Sequence, residues 1–412
     1  MNYHDTIQYL YNSTPVFEHV GASAYKEGLS NTLAMDEHFG HPHTHYKTIH
    51  IAGTNGKGSC SHTIAAILQA QGYRVGLYTS PHLVDFRERI KVNGECIPEA
   101  YVIDFVEEER SFFEPLHPSF FELTTAMAFK YFAEKQIDVA VIEVGLGGRL
   151  DCTNIITPIL SIITNISFDH TQFLGNTLGQ IATEKAGIIK NEIPVVIGET
   201  TPETRNVFEK IAKEKNAPIF FAEEYTIPTE WDGEFELKGL YQQKNKQTIL
   251  CAVNHLGLSI STSAILQGLT KVVELTGLMG RWQKIQEHPT VICDTGHNVG
   301  GWEYLSEQIK SQPCQHLHIV FGMVDDKDID AVMEMLPTNA TYYYTQAQSK
   351  RAIPAHIVES KGRQHQLTGS TYAHVADAYR AALQQANEED FIFVGGSSYI
   401  VADFLATYDN LS

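Results

Sequence analysis

Short runs of β-branched and apolar residues alternate along the chain with longer segments of helical periodicity. Short apolar runs predict strands, and segments whose apolar positions recur every three or four residues predict helices. Alternation of the two favours βαβ units around a mostly parallel sheet. The elements predicted before residue 200 are strands at Thr48–Ala52, Val75–Thr79, Val139–Val144, Ile159–Thr164 and Pro194–Ile197 and helices at Ser61–Gln71, Phe121–Lys135 and Leu178–Ile189.

A second alternating set begins near Thr290. Glycines interrupt the pattern at 277–288, and the stretch Thr226–Lys246 is polar and weakly patterned. Because each set can form its own sheet, we predict two α/β domains, a larger one over residues 1–284 and a smaller, Rossmann-like one over 285–412. The second set comprises predicted strands at Val291–Cys293, Leu317–Phe321, Tyr342–Tyr344 and Phe391–Val394 and predicted helices at Gly300–Ile309, Ile329–Leu336, Ala373–Ala386 and Tyr399–Ala406.

The composition is that of a globular protein with an acidic surface. The 412 residues are 43% hydrophobic and 19% charged, which is enough to build a buried core and too apolar for disorder. The formal net charge is −19. Binding to nucleic acid or to anionic membranes requires a basic surface, so these two classes of partner are not expected. An anionic substrate would need a locally positive site.

The six cysteines are scattered and include no Cys-x-x-Cys pair, which predicts a reduced cytosolic chain without a disulfide framework or structural zinc. The N-terminal segment MNYHDTIQYLYNS has no basic-then-apolar signal. No apolar run approaches the roughly 18 to 20 residues of a membrane span. We therefore expect a soluble cytoplasmic protein. The cysteines are Cys60, Cys96, Cys152, Cys251, Cys293 and Cys314.

A glycine-rich segment, GTNGKGS, follows the first predicted strand and precedes a predicted helix. Glycines allow successive backbone N–H groups to surround a phosphate, the helix N-terminus adds partial positive charge, and Lys57 would neutralise the β- and γ-phosphates. The usual G-x-x-x-x-G-K-[ST] pattern is altered, because Ile51 replaces its first glycine and Gly58 separates the lysine from Ser59. A chance turn is the alternative; the strand–loop–helix context favours a phosphate site in a P-loop domain. The predicted nucleotide loop comprises Gly53, Thr54, Asn55, Gly56, Lys57, Gly58 and Ser59.

The predicted strand DVAVIE ends in a carboxylate, Glu143. The carboxyl ends of parallel strands lie at one edge of the sheet, so this carboxylate is expected near the phosphate loop. Carboxylate oxygens suit Mg²⁺, bound directly or through water. A solvated strand end is the alternative, and the buried positions before it argue against that reading.

The variant loop GTNGKGS resembles the ATP loop of the Mur ligase superfamily, and specifically that of its folylpolyglutamate synthase and dihydrofolate synthase members. The similarity extends over nearly the whole chain, and several motifs together are far more specific than one loop. The other segments that resemble this family are TSPHL (79–83), FRERIKVNG (86–94), FFELTTAMAF (120–129), EVGLGGRLDCTN (143–154), ITNISFDHTQFLG (163–175), EKAGIIK (184–190), DTGHN (294–298) and DDKD (325–328).

The resemblance implies an ATP-dependent ligase that adds L-glutamate to dihydropteroate, to tetrahydrofolates, or to both. The γ-phosphoryl group of ATP would pass to a substrate carboxylate, and the α-amino group of glutamate would attack the acyl phosphate. Such catalysis depends on positioning and charge neutralisation. One phosphate loop can serve both reactions, and we predict a bifunctional enzyme. The expected partners are these small molecules, and the family expectation is a monomer.

The resemblance assigns Mg²⁺ contacts to Ser80, Glu143 and His170, although His170 could equally be a hydrogen-bonded core histidine. Lys185 matches a lysine that carries a carbamate in this superfamily. Carbamylation requires a neutral amine, and it converts a cation into an anion that can orient Mg²⁺. The alternative is an ion pair between Lys185 and Glu184 or another helix residue.

The resemblance also assigns ATP contacts to Asn245, Arg281 and Asp294, with His297 as a further nucleotide candidate. An arginine beside the transferring phosphate stabilises charge on its equatorial oxygens, so Arg281 is a predicted catalytic residue together with Lys57, His170 and Lys185. A surface ion pair is the alternative for Arg281.

On the folate side, Phe120 and Phe121 would form an aromatic wall for a flat pterin, and Asp151 would bind its ring nitrogens. On composition alone, adjacent phenylalanines are more often simple core. Cys152 stands where the family pattern usually shows alanine, and Gly28-Leu29-Ser30-Asn31 replaces the usual Gly-Leu-Glu-Arg. These departures put the details of the pterin pocket in question.

Three further predictions concern the rest of the chain. Arg351 and Ser397 are candidates for the carboxylates of glutamate, and Lys327 is a further candidate near the nucleotide. The histidine run at positions 38, 41, 43 and 45 could bind a transition metal, but its spacing in a proline-containing loop fixes no coordination geometry, so a solvated loop is expected.

Two other function classes fit the sequence less well than the folate ligase does. A cell-wall ligase acting on a UDP-linked sugar would need an N-terminal uridine-nucleotide domain, and only about fifty residues precede the phosphate loop. A guanine-nucleotide switch would need Asn-Lys-x-Asp, and the nearest segment, Asn245–Thr248, lacks the final carboxylate. Glutamate-dependent turnover distinguishes a ligase from such a switch.

Overall fold

The computed structural model describes residues 1–14 and 28–408. The chain divides into two compact units. The first contains residues of Met1–Glu236 and Gln242–Leu278, and the second contains those of Leu237–Tyr241 and Met279–Ser412. The predicted division after residue 284 falls inside a strand of the second unit, Gln283–Gln286, because the polar sequence QKIQ carries no apolar pattern that would mark it as a strand.

The first unit is built around an eight-stranded sheet with the order β4-β3-β2-β5-β1-β6-β7-β8. Strands β3 and β4 form a hairpin at one edge, and β3 is antiparallel both to β4 and to β2. The other strand pairs are parallel. The strands are β1 (Lys47–Ala52), β2 (Val75–Tyr78), β3 (Ile90–Val92), β4 (Glu95–Cys96), β5 (Val139–Glu143), β6 (Leu160–Ile163), β7 (Val195–Ile197) and β8 (Ile219–Phe221).

Central strands of this sheet are buried on both faces. Every residue of β5 is buried, as are all residues of β1 after Lys47. This is the pattern of a parallel sheet covered by helices on both sides. The helices of the unit are α1 (Tyr3–Ser13), α2 (Ser30–His38), α3 (Lys57–Ala70), α4 (Glu99–Phe113), α5 (Phe120–Glu134), α6 (Thr171–Leu174), α7 (Leu178–Lys185), α8 (Pro202–Glu214), α9 (Gln242–His255), α10 (Thr262–Thr270) and α11 (Val272–Thr276).

The second unit has a six-stranded sheet with the order β13-β12-β11-β14-β10-β9, in which only β9 is antiparallel to its neighbour. Its strands are β9 (Gln283–Gln286), β10 (Thr290–Asp294), β11 (Leu317–Phe321), β12 (Thr341–Tyr344), β13 (Gly369–Thr371) and β14 (Phe391–Gly395). Its helices are α12 (Val299–Lys310), α13 (Ile329–Met335), α14 (Ala355–Gln364), α15 (Val375–Gln385) and α16 (Ser398–Tyr408).

The predicted fold class, two α/β domains with mostly parallel sheets, is confirmed. The predicted helix Leu178–Ile189 ends earlier, at Lys185, and continues as a 3₁₀ turn over Ala186–Ile188. The hairpin of β3 and β4 and the helix α4 were not predicted. Among the described residues, no helix is long and apolar enough to cross a membrane.

Candidate functional site

The glycine-rich segment forms a turn between β1 and α3. Gly53 and Gly56 both have positive φ angles, +145° and +83°. A side chain at Gly53 would overlap the hydroxyl of Thr164, and one at Gly56 would overlap the side-chain oxygen of Asn245. Both glycines are therefore required by backbone conformation and by space. Backbone that is kept open in front of a helix N-terminus fits a phosphate ligand, as the sequence predicts.

The segment after β6 holds this turn from one side. Asn165 accepts hydrogen bonds from the backbone N–H of Thr54, through its carbonyl at 2.9 Å, and from that of Asn55, through its side chain at 2.9 Å. The hydroxyl of Thr54 donates to the carbonyl of Ser167 at 3.2 Å. This segment is one of the family-like motifs, but Asn165 and Ser167 were not among the predicted site residues.

Lys57 and Lys185 both donate to the carbonyl oxygen of Gly53, at 3.0 Å and 2.9 Å. Lys57 is the first residue of α3 and also donates to the carbonyl of Thr54 at 3.1 Å. Lys185 is the last residue of α7 and is 5% exposed. The structure therefore brings together the two lysines that the sequence predicts to be catalytic.

The surroundings of Lys185 lower the pKa of its amine. Burial, and next to it the positive charge of Lys57, lower the pKa of Lys185 to about 7, against the opposing effect of the carboxylates of Asp169 and Asp151. A substantial share of the amine is therefore neutral near pH 7. The alternative partner, Glu184, instead pairs with Arg149 at 3.0 Å. A neutral amine is the form that can react with CO₂.

Ser80 and Glu143 lie side by side at the carboxyl ends of β2 and β5. The backbone N–H of Ser80 lies 3.4 Å from Oε2 of Glu143, which is 4% exposed. A hydroxyl and a buried carboxylate are oxygen donors of the kind that Mg²⁺ prefers, so this pair fits the predicted ion.

His170, the third predicted Mg²⁺ ligand, has a left-handed backbone at the start of α6, and its Nε2 lies 3.8 Å from Asp169. Within residues 1–14 and 28–408, no group of three or more His, Cys, Asp or Glu side chains is arranged to hold a metal ion. The predicted Mg²⁺ set contains only two such side chains, with Ser80 as the third member, and it remains a prediction.

Asn245 lies on α9 against the phosphate loop, together with a residue that sequence analysis missed. The side-chain amide of Gln242 donates to the hydroxyl of Ser59 at 3.0 Å, and Asn245 donates to the side-chain oxygen of Gln242 at 2.8 Å. Gln242 is completely buried. The i, i+3 spacing of the two amides was a usable signal, but it lies at the edge of the weakly patterned stretch Thr226–Lys246.

Arg281, Asp294 and His297 lie close together in the second unit. The guanidinium of Arg281 donates to the hydroxyl of Thr295. Nδ1 of His297 lies 3.0 Å from the carbonyl oxygen of the same threonine. Asp294 ends β10, and its carboxylate accepts from the hydroxyl of Tyr241 at 2.5 Å. Burial raises the pKa of Asp294, while the bond from Tyr241 and the charge of Arg281 oppose this rise.

The two phenylalanines of the predicted pterin wall have different surroundings. Phe120 is 4% exposed, lies 5.2 Å from the stacked ring of Tyr11, and has the guanidinium of Arg89 5.2 Å from its ring centre. Phe121 is half-buried, and its ring lies so close to Gly145 that a side chain there could not fit. Phe121 is thus the more accessible of the two, and Phe120 belongs to the core.

Asp151 caps a 3₁₀ turn and is 5% exposed. Its carboxylate accepts hydrogen bonds from the backbone N–H of Leu146 at 2.8 Å and from the hydroxyl of Thr153 at 2.5 Å. Burial raises its pKa, and these hydrogen bonds oppose the rise. Cys152, the departure from the family pattern, is buried beside it.

The predicted glutamate-binding residues already have partners within the second unit. Arg351 pairs with Asp326 at 2.5 Å and donates to the hydroxyl of Tyr399 at 3.2 Å. Ser397 is 1% exposed, and its hydroxyl accepts from the backbone N–H of Ile400 at the start of α16. Lys327 lies 3.7 Å from Asp326. Their glutamate and nucleotide roles remain predictions.

The histidine run is organised by one carboxylate. Nδ1 of His41 and Nδ1 of His43 lie 2.6 Å and 2.7 Å from the two oxygens of Asp36, which is buried. His38 stacks on Phe112 at 3.6 Å. His38 and His41 are exposed and His43 is half-buried, so these rings have partners within the first unit while two of them also face solvent. The solvated loop stays a prediction for the run.

Models of known families match both units. The Mur ligase middle domain matches residues 51–266, and the Mur ligase glutamate ligase domain matches residues 280–398. A curated relative, the dihydrofolate synthase/folylpolyglutamate synthase of Escherichia coli, is 36% identical over 373 residues, covering 87% of this chain and 86% of that protein.

Solved structures match over almost the whole chain. Escherichia coli FolC in complex with DHPP and ADP has a TM-score of 0.87 and 32% identity, covering 100% of this chain and 98% of the other. A bifunctional folylpolyglutamate synthase/dihydrofolate synthase with Mn, AMPPNP and L-glutamate bound has a TM-score of 0.85 and 29% identity, covering 99% and 98%. The chain therefore belongs to the Mur ligase family and, within it, to the dihydrofolate synthase/folylpolyglutamate synthase group.

Proposed function

We propose that the protein is an ATP-dependent ligase that attaches L-glutamate to dihydropteroate and to tetrahydrofolates and their polyglutamates. The observation that carries this proposal is the pair of lysines on the carbonyl of Gly53, because a lysine of the glycine turn and a partly neutral amine there are what phosphate binding and carbamate formation would require. The relatives' names, which combine the two synthase activities, support the same chemistry.

The reaction proceeds in two balanced steps. A carboxylate oxygen of the pteroate or folate attacks the γ-phosphorus of ATP, so that ADP leaves and an acyl phosphate forms. The α-amino nitrogen of glutamate then attacks the acyl carbon, phosphate leaves, and an amide bond forms with loss of a proton. Both steps join or separate anions, so fixed positive charge and exclusion of water are the main requirements.

The chain's own residues supply the positioning. Lys57 and the backbone of the glycine turn bind the phosphates, and Asn245 shapes the turn through Gly56. We assign Arg281, with Asp294 and His297, to the nucleotide as well. On the acceptor side, Phe121 and Asp151 contact the pterin, while Phe120 supports the wall from the core.

Ser80, Glu143 and His170 would hold Mg²⁺, which supplies neutralisation of phosphate charge when bound. Lys185 is proposed to carry a carbamate, formed when its neutral amine attacks CO₂ and loses a proton. Arg351 is proposed to bind a carboxylate of glutamate. The six cysteines are free thiols, which supports the expected cytoplasmic location. A monomer is proposed on the family expectation alone.

The dependence of ADP release on glutamate tests this function against a nucleotide switch. The protein is incubated with Mg-ATP and dihydropteroate, and ADP is measured with and without L-glutamate. A ligase releases ADP continuously only when glutamate is present, because the acyl phosphate otherwise remains at the site. Equal release in both samples would contradict the proposal.

A further inference from the structure

His50 lies in the middle of β1 and is completely buried between Ile142 of β5 and Ser161 of β6. Burial lowers the pKa of its imidazole to about 3, so the ring is neutral. Among the described residues, its Nδ1 has no hydrogen-bond partner. A buried polar atom without a partner lowers the stability of a fold. What the imidazole contributes at this position therefore depends on its other ring nitrogen, Nε2.

The other ring nitrogen connects His50 to Asp151 through a threonine. Nε2 of His50 lies 2.8 Å from the hydroxyl of Thr153, and that hydroxyl lies 2.5 Å from Oδ1 of Asp151. An ionised carboxylate only accepts hydrogen bonds, so the single hydroxyl proton of Thr153 points to Asp151. His50 must then donate from Nε2. This direction also leaves Nδ1 as the bare nitrogen.

Asp151 connects His50 and Thr153 to the backbone beside the predicted pterin wall. Its Oδ1 also accepts the backbone N–H of Thr153 at 3.0 Å, and its Oδ2 accepts the N–H of Leu146 at 2.8 Å. Leu146 follows Gly145, whose backbone lies directly against the ring of Phe121. The orientation of one buried carboxylate thus sets the position of the backbone beside Phe121.

We propose that His50 and Thr153 are positioning residues for the pterin substrate: the relay from His50 through Thr153 holds the carboxylate of Asp151, and with it the Gly145–Leu146 backbone, in the geometry that binds dihydropteroate. This inference rests on the proposed function, in which Asp151 and Phe121 contact the pterin. It gives a role to a buried histidine that no step of the ligation uses.

Two pairs of variants separate the relay from simple packing. Thr153→Val keeps the shape of the side chain and removes the hydroxyl, whereas Thr153→Ser keeps the hydroxyl. His50→Leu removes the donor, whereas His50→Gln can place an amide N–H near the position of Nε2. The affinity for 7,8-dihydropteroate is measured by calorimetry with Mg-ADP present, and KM is measured for dihydropteroate and for ATP.

We expect Thr153→Val and His50→Leu to weaken dihydropteroate binding by about tenfold, the order of a lost hydrogen bond to a charged group, with little change in the KM for ATP. Thr153→Ser and His50→Gln should recover most of the affinity. Thr48→Val, the same change at a buried threonine of β1 outside the relay, controls for packing and should leave dihydropteroate affinity unchanged. Adding Thr153→Val to Asp151→Asn should have no further effect.

The outcomes decide the inference and the proposed function separately. If Asp151→Asn weakens binding but Thr153→Val and His50→Leu do not, the relay is overturned while the role of Asp151 stands. If Asp151→Asn leaves affinity unchanged, both the pterin role of Asp151 and the relay are overturned. Equal weakening by Thr153→Val and Thr48→Val would reduce the relay to packing. Thermal unfolding shows that each variant is folded, and if one member of a pair does not fold, the other pair decides.

Discussion

Lys57 and Lys185 donate to the same oxygen, the backbone carbonyl of Gly53, although they are far apart in sequence. Two ammonium groups on one carbonyl repel each other, and the buried member is the one that gives up its proton more easily. The turn at Gly53 therefore holds, beside Lys57, an amine that is partly neutral near pH 7. Because the two lysines are coupled in this way, a change at one should be measurable at the other.

Lys185→Met should abolish turnover and stabilise the fold. The pKa of Lys185 falls from an ordinary value of 10.5 to about 7 in the folded protein, so between these values the unfolded chain binds more protons. The wild type therefore gains stability as pH rises from about 7 to about 10.5 and carries the full cost of the buried cation below pH 7. Thermal unfolding of the wild type and the variant from pH 6 to 10, in CO₂-free buffer, should show the largest stabilisation by methionine at the acidic end.

Lys91→Met is the matched control for this substitution. Lys91 is also buried, its pKa is also lowered by burial, and it donates to the carbonyl of Thr276 at 2.7 Å. This variant should retain turnover at temperatures at which it is folded. Normal turnover in Lys185→Met would remove the lysine, and its carbamate, from the mechanism.

Lys57→Met should shift the pH at which Lys185 takes up CO₂. Loss of the neighbouring positive charge raises the pKa of Lys185, so a higher pH is needed to obtain the neutral amine. The carbamate signal is followed by ¹³C NMR in labelled bicarbonate as a function of pH. Lys57→Arg keeps the charge and should keep the wild-type midpoint. Coincident midpoints for Lys57→Met and the wild type would show that the two lysines are not coupled.

Gly56→Ala should remove nucleotide binding, because alanine at φ +83° is strained and its methyl group would displace Asn245. Gly72→Ala provides the comparison. Gly56 precedes helix α3 and Gly72 follows it, with a φ angle of +97°, but a side chain at Gly72 would meet no atom within 4 Å. Both variants lose roughly 1 to 2 kcal/mol of stability from the backbone alone. Only Gly56→Ala should lose ATP affinity, by at least about tenfold, as measured by calorimetry with Mg-ATP. Equal ATP affinities in the two variants would argue against the predicted phosphate loop.

Glu143→Gln should increase the Mg²⁺ concentration needed for half-maximal activity by about tenfold or more, because a neutral amide replaces the carboxylate beside Ser80. Activity is titrated with Mg²⁺ at saturating ATP. Glu134→Gln, at an exposed glutamate paired with Lys130, serves as the control and should leave the titration unchanged. An unaltered Mg²⁺ requirement in Glu143→Gln would place the ion elsewhere.

Much of the architecture was predictable because buried parallel strands read as continuous apolar runs. The strand KTIHIA and the glycine turn after it, from which the phosphate loop is predicted, were recognisable in the sequence directly. The hairpin of β3 and β4 was missed because its strands are only three and two residues long. The strand β9 was missed because QKIQ is polar and lies at the edge of its sheet.

Parts of the candidate site could not be predicted because they depend on contacts between distant segments. No pattern in the sequence predicts the contact of Lys185 with the carbonyl of Gly53 or that of Gln242 with Ser59. The different surroundings of Phe120 and Phe121 follow from the position of Tyr11 on α1, a helix that the pattern did not predict. The relay from His50 to Asp151 likewise joins a core strand to a loop about one hundred residues later.

The identity of the glutamate acceptors tests the account most directly. The protein is incubated with Mg-ATP and L-glutamate, with dihydropteroate in one tube and tetrahydrofolate monoglutamate in another, and the products are weighed by mass spectrometry. The account predicts that both substrates gain the mass of glutamate residues, which establishes a bifunctional ligase. Addition to only one substrate would contradict bifunctionality, and no gain of mass in either tube would contradict the assignment of a folate substrate.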